Sequence, residues 1–146
     1  MGRAGCAFCA IVAGEAPAHR IVETRELVGF LDIRPLFPGH VLLVPRVHAP
    51  TLADLPVADV GPCFTTVQRV ERAVVSALTA DGSMVLVNNV VSQSVPHLHV
   101  HVIPRRSGDG LRLWLGPRRP YADEAAAADV AARIRTAYAD GGGGVS

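Results

Sequence analysis

Apolar residues come in short runs bounded by turn signals in the first third of the chain and recur every third or fourth residue in the middle, and this change of pattern divides the sequence into elements. "RIVETREL" and "LVGFLDI" flank a turn near Arg25 and Glu26, and "HVLLVPR" follows the turn signal "PLFPG". Three short strands joined as an antiparallel meander are expected there. From Asp59 to Leu78, the residues Cys63, Val67, Val70, Val74 and Leu78 form an apolar stripe at helical spacing, and "TADGS" is expected to end that helix with a glycine. "MVLVNN" reads as a further strand, "VVSQS" as a connection, and residues 95–103 as the strand that pairs with it. Near the end, Asp123 and Glu124 suit the positive end of a helix dipole, and Val130, Ile134 and Tyr138 follow at i, i+4 and i+8. The sum is an α+β domain with about five antiparallel strands and two main helices. It is taken as a single domain over 1–140, followed by a glycine-rich tail, 141–146, expected to be disordered.

"SVPHLHVHVIPR", residues 94–105, sets three histidines at alternate positions of an otherwise apolar run. On a strand His97, His99 and His101 share one face and Leu98, Val100 and Val102 the other, whereas on a helix neither set has a common face. Three uses are open: polar positions in a core strand, ligands of a catalytic zinc, or a nucleophile flanked by groups that bind developing charge. Same-face neighbours on a strand stand about 7 Å apart, so at most two of the three could converge comfortably on one ion.

Composition narrows the class. The chain has 146 residues, enough to bury a real core, and although 49% are hydrophobic, many of these are alanine. No apolar stretch reaches the roughly 18 residues of a membrane-spanning helix. The start, "MGRAGCAFCAIVAGEAP", lacks the pattern of a secretory signal, so a cytoplasmic protein is expected. A net charge of +1 argues against membrane or nucleic-acid partners. The arginines at 105, 106, 112, 118 and 119 suit a solvated loop as well as a phosphate site. Cys6 and Cys9 form a C-x2-C half-site, readable as a redox pair, half a zinc site or two inert thiols, while Cys63 on the helix stripe is expected to be buried.

His-x-His-x-His followed by "VIPR" resembles the signature of the histidine-triad (HIT) nucleotide hydrolases and transferases. "FLDIRPLFPGHVLLVPRVH", "VNN", "QSV" and "CAFC" extend the resemblance over roughly residues 6–115. Length and "CAFC" are most similar to the Hint-like bacterial branch, which implies a HIT-like fold and hydrolysis of nucleoside 5′-phosphoramidates or related 5′-phosphate derivatives. The resemblance makes His99 the nucleophile that attacks the α-phosphorus and forms a nucleotidyl-histidine intermediate. It places His101 on the phosphate and Ser94 beside the scissile bond. It also implies that Asp32 accepts the ribose hydroxyls, that Phe30 and Ile33 lie along a purine base, and that Asn88 (or Asn89) and Gln93 face the phosphate. His40 matches a histidine near the active site for which a structural role is equally open. Bacterial relatives complete a structural zinc site with positions corresponding to Cys6, Cys9, His48 and His97, and no catalytic metal is required. Small relatives pair as homodimers. The loop "NNVVSQ" is shorter than usual and has Ser92 where a glycine is common, which bears on how the phosphate is held. A dinucleoside polyphosphate hydrolase and a zinc-stabilised nucleotide-binding or interaction module with weak turnover are the rival functions.

Overall fold

The computed structural model describes residues 3–112 and 118–141. The chain divides into two compact units, Met1–Asp109 and Gly110–Ser146. The first holds helix α1 (Ala7–Ala13), strands β1 (Arg20–Glu23), β2 (Leu27–Leu31) and β3 (Val41–Pro45), a 3-10 turn (Leu52–Asp54), helix α2 (Val57–Leu78), and strands β4 (Gly82–Leu86) and β5 (Val100–Arg105). The second holds helix α3, Glu124–Gly141, on which Ile134 and Tyr138 are exposed. Residues 142–146 of the expected tail lie outside the described residues.

The five strands form one antiparallel sheet in the order β1-β2-β3-β5-β4, so the expected meander of the first three strands and the pairing of the last two are both present. Strand β5 inserts beside β3, with Leu42 opposite His101 on one side and Leu86 opposite it on the other. One face of the sheet packs on α2 through Leu27, Val41, Leu43, Val100 and Val102 against Cys63, Val67, Val70 and Val74. Val28, Phe30, Leu42 and Val44 on the other face pack with Phe8 and Ile11 of α1. Burial pushes the Cys63 thiol up to about 11, in keeping with a structural residue of the stripe.

Two expectations are corrected, and a short helix adds to the two main ones. The strand expected over 95–103 begins only at Val100 and runs to Arg105. Pro96 has no N–H to give, the His97 amide closes a tight turn on Val95 O at 2.8 Å, and the Leu98 amide donates to Ala49 O at 2.7 Å, outside the sheet ladder. Helix α2 ends on Thr79 in a left-handed conformation (φ 50°) rather than on a glycine, and Gly82 instead opens β4. Arg106 stabilises that end by donating to the carbonyls of Leu78 and Thr79, so this part of the basic stretch caps a helix. Finally, α1 adds a third helix: Gly14 at φ 81° closes it, and Arg20 donates to Ile11 O at 2.6 Å.

Candidate functional site

The first cluster grows from the turn before β5 and the cap of α1. Cys6 is the N-cap residue of α1 and Cys9 follows one turn later, so both thiols leave the same helix end. His97 swings off the strand line and is fully buried, and His48 approaches it from the segment after β3. Cys9 Sγ lies 3.3 Å from His48 Nδ1 and 3.5 Å from His97 Nδ1, and Cys6 Sγ lies 3.5 Å from His97 Nδ1. All four donor atoms are within 4.8 Å of one another. Zinc–sulfur and zinc–nitrogen bonds of about 2.3 and 2.1 Å in a tetrahedron set a sulfur–nitrogen edge of about 3.6 Å. The observed distances match that edge, so these donors fit a zinc ion. His97 Nε2 donates to Pro45 O at 2.9 Å, which leaves Nδ1 as the free lone pair facing the thiols. Burial pushes the Cys9 thiol up and the His97 imidazole down, so a cation is what would reconcile the deprotonated thiol with its site.

The second region is a cleft of about 400 Å³ between α1 and the end of β2. Phe8, Ile11, Pro17 and Ala18 form one wall, Phe30, Asp32 and Ile33 another, and Ser94, His99 and His101 its polar end. Ile33 is 86% exposed, which makes it a rim residue, while Phe30 is buried and meets Phe8 edge to face. His99 lies between the rings of Phe8 and His101, with centroids 5.0 and 4.8 Å away. Its Nδ1 is 2.8 Å from His97 O. A carbonyl can only accept, so Nδ1 carries a proton, and in the neutral ring the lone pair is on Nε2. A neutral imidazole held in that tautomer is a nucleophile.

His101 Nδ1 is 2.9 Å from His40 Nε2, and Asp32 Oδ2 is 3.7 Å from His40 Nδ1. These three side chains also lie close enough to share an ion, but the two facing nitrogens are already joined by the hydrogen bond. Burial, followed by the neighbouring His99 and His40, lowers His101 to about 4, with Asp32 opposing. His40 is lowered by burial as well, again against Asp32. Both rings are therefore neutral near pH 7.

The structure brings Asp32, Phe30, Ile33, Ser94, His99 and His101 around one cleft and Cys6, Cys9, His48 and His97 around one point. Asn88 and Gln93 do not line the cleft. Gln93 Oε1 accepts from the Val90 amide at 3.0 Å and Gln93 Nε2 donates to Pro50 O at 2.6 Å, while Asn89 Oδ1 accepts from the Leu52 amide at 2.9 Å. Those side chains hold the 88–93 loop to the 50–52 segment. Val90 and Ser92 take φ of 67° and 60°, so the left-handed backbone that glycine would favour is adopted without one. Sequence reasoning missed the α1 wall, whose signal was Gly14 after an alanine-rich apolar run, and the contact of His40 with His101.

Comparison with known proteins shows the family. The HIT domain matches residues 13–108, more than half of the chain. An uncharacterised HIT-like protein of Mycobacterium tuberculosis is 41% identical over 113 residues, spanning 76% of this chain and 78% of its own length. An adenylylsulfatase of Arabidopsis thaliana is 37% identical over 108 residues (73% and 55%), and an adenosine 5′-monophosphoramidase of Saccharomyces cerevisiae 35% over 105 residues (70% and 64%). The structure of a zinc-bound histidine triad family protein from Mycobacterium smegmatis superposes with a TM-score of 0.70 at 40% identity, covering 88% of this chain and 97% of its own. With most of its first unit matched and its fold shared with these proteins, the chain belongs to the HIT domain family.

Proposed function

We propose that this protein hydrolyses nucleoside 5′-phosphoramidates or related 5′-phosphate derivatives at the α-phosphorus, through a nucleotide bound covalently to His99. The observation that carries this reading is the hydrogen bond from His99 Nδ1–H to His97 O, which leaves the Nε2 lone pair on the ring that lines the cleft. Nε2 forms a bond to phosphorus while the P–N bond to the leaving amine breaks, and the amine departs with a proton taken from solvent, which the second step returns. Water then attacks the same phosphorus, releasing the nucleoside monophosphate and regenerating neutral His99. Negative charge on the non-bridging oxygens is met by hydrogen-bond donors at the polar end of the cleft, His101 and Ser94. Asp32 presents a carboxylate to the ribose hydroxyls; its Oδ1 already accepts from the Arg34 amide at 2.8 Å, which fixes its orientation. The apolar walls carrying Phe8 and Phe30 suit a purine face.

Zinc bound by Cys6, Cys9, His48 and His97 is part of the same reading, with a structural role. It would stabilise the turn whose His97 carbonyl orients the nucleophile, and no chemical step passes through it. The relatives named for phosphoramidates and for adenylyl sulfate differ in leaving group, which supports a nucleotidyl enzyme more firmly than any one leaving group. Adenosine 5′-phosphoramidate, adenylyl sulfate and diadenosine polyphosphates should be offered in parallel to wild type and His99→Ala. Release of AMP fastest from the phosphoramidate, and from none of them by the variant, is the expected result. Preference for the dinucleotide would transfer the assignment to a dinucleoside polyphosphate hydrolase, and tight AMP binding without turnover of any of them would leave a binding module.

A further inference from the structure

His40 is 3% exposed and sits immediately before β3, with no direct place in the chemistry described above. Its two ring nitrogens are both engaged. The Leu36 amide donates to Nδ1 at 3.2 Å, and Nε2 is 2.9 Å from His101 Nδ1. A backbone amide can only donate, so His40 Nδ1 is an acceptor and the ring proton is on Nε2. His40 Nε2–H must then donate to His101 Nδ1, and the proton of His101 must lie on Nε2. That atom is buried and, among the described residues, has no hydrogen-bond partner. One main-chain amide thus sets the direction of a chain of hydrogen bonds that ends in an unmatched donor on a ring lining the cleft.

We propose that His40 is a positioning residue: anchored by the Leu36 amide, it holds His101 in the Nε2–H tautomer and fixes the flip of its ring, so that the cleft is always offered a donor and never a lone pair. This rests on the reading of the cleft as a nucleotide phosphate site. A phosphate oxygen accepts hydrogen bonds and repels an imidazole lone pair, so a His101 free to invert would oppose the transition state in part of its population. Both rings being neutral, the position of one proton decides between attraction and repulsion. Asp32 stands 3.7 Å from His40 Nδ1, beyond hydrogen-bond reach, and does not compete with the Leu36 amide for it.

The test uses full-length protein carrying 15N-histidine, adenosine 5′-phosphoramidate as substrate, and the variants His40→Phe and His40→Gln. In the free wild-type protein, long-range 1H–15N spectra should show both His40 and His101 protonated at Nε2 and bare at Nδ1. His40→Phe should lower kcat roughly 10- to 100-fold with little change in KM, the scale on which loss of the partner that orients a metal-bound histidine is felt. Gln can still donate an amide N–H to His101 Nδ1, so His40→Gln should keep kcat within about fivefold of wild type and preserve the His101 tautomer. A proton on His101 Nδ1 in the wild type, a fully active His40→Phe, or a His40→Gln no better than the Phe variant would each overturn the proposal. The tautomer is read without turnover. A wild type that shows the expected spectra but hydrolyses none of the nucleotide derivatives would therefore refute the functional reading and with it the catalytic consequence, not the positioning of His101.

Discussion

His97 is tied through both of its ring nitrogens, one to Pro45 O and one toward the thiols, while its own carbonyl holds His99. His101, two residues further on, is tied to His40 instead. Only His101 stands on β5, with His97 and His99 in the segment that leads into it, and the hydrogen bond at each ring selects which nitrogen is available. The depressed His101 value has a consequence for stability. At about 4 in the folded protein against 6.5 ordinarily, the unfolded chain binds more protons between those values. The contribution of the neutral ring is thus complete above about pH 6.5 and is lost as pH falls toward 4, by roughly 2 kcal/mol at pH 5. Urea unfolding at pH 7.5 and pH 5.0 should show that loss in the wild type and a smaller one in His101→Asn. Equal pH slopes in the two proteins would contradict the burial argument. The identity of these residues was legible in the sequence because same-face spacing and the HIT resemblance both point to them. Their tautomers were not: those of His97 and His101 depend on Pro45 and His40, distant in sequence, and that of His99 depends on how the turn at residues 95–98 aims the His97 carbonyl.

Sheet and helix α2 were legible because their apolar periods are long enough to be read without tertiary help. Helix α1 was not: it has seven residues, short of the length at which a helix is stable alone, and it is held by Gly14, Arg20 and packing on the sheet. The beginning of β5 was misplaced for a related reason, since the Leu98 amide finds Ala49 O rather than a strand neighbour. The turn between β2 and β3 connects this scale to the site. Gly39 has φ 96°, a backbone conformation that favours glycine immediately before His40, and a Cβ there would also stand 2.1 Å from Leu78 Cδ1, so that the end of the Leu78 side chain would have to move. Gly39→Ala should destabilise the fold by about 1–2 kcal/mol, chiefly from positive-φ strain, and lower the melting temperature accordingly. An unchanged melting temperature would show that the turn relaxes and that His40 is held by its hydrogen bonds alone.

At the scale of the whole molecule, four residues from three separated segments meet at one point, and an ion there would bind them only in the folded state. Protein prepared without chelators should carry about one zinc per chain. Cys6→Ser and Cys9→Ser should lose it and melt earlier, and elemental analysis showing no zinc in the wild type would remove the claim. The sheet leaves β4 at one outer edge, and pairing into a homodimer is the association expected of small relatives. A monomer mass by light scattering across micromolar concentrations would contradict it. Among the described residues no helix is long and apolar enough to cross a membrane. The central claim is that the bond to phosphorus is made by His99 Nε2, and a denaturing quench at alkaline pH, where an imidazole–phosphorus bond survives, during turnover of adenosine 5′-phosphoramidate, followed by peptide mass spectrometry, tests it most directly. An adenylylated peptide in which His99 carries the nucleotide, absent from His99→Ala, is the expected result. Active turnover with no adduct on His99, abolished at once when a chelator strips metal from still-folded protein, would contradict it.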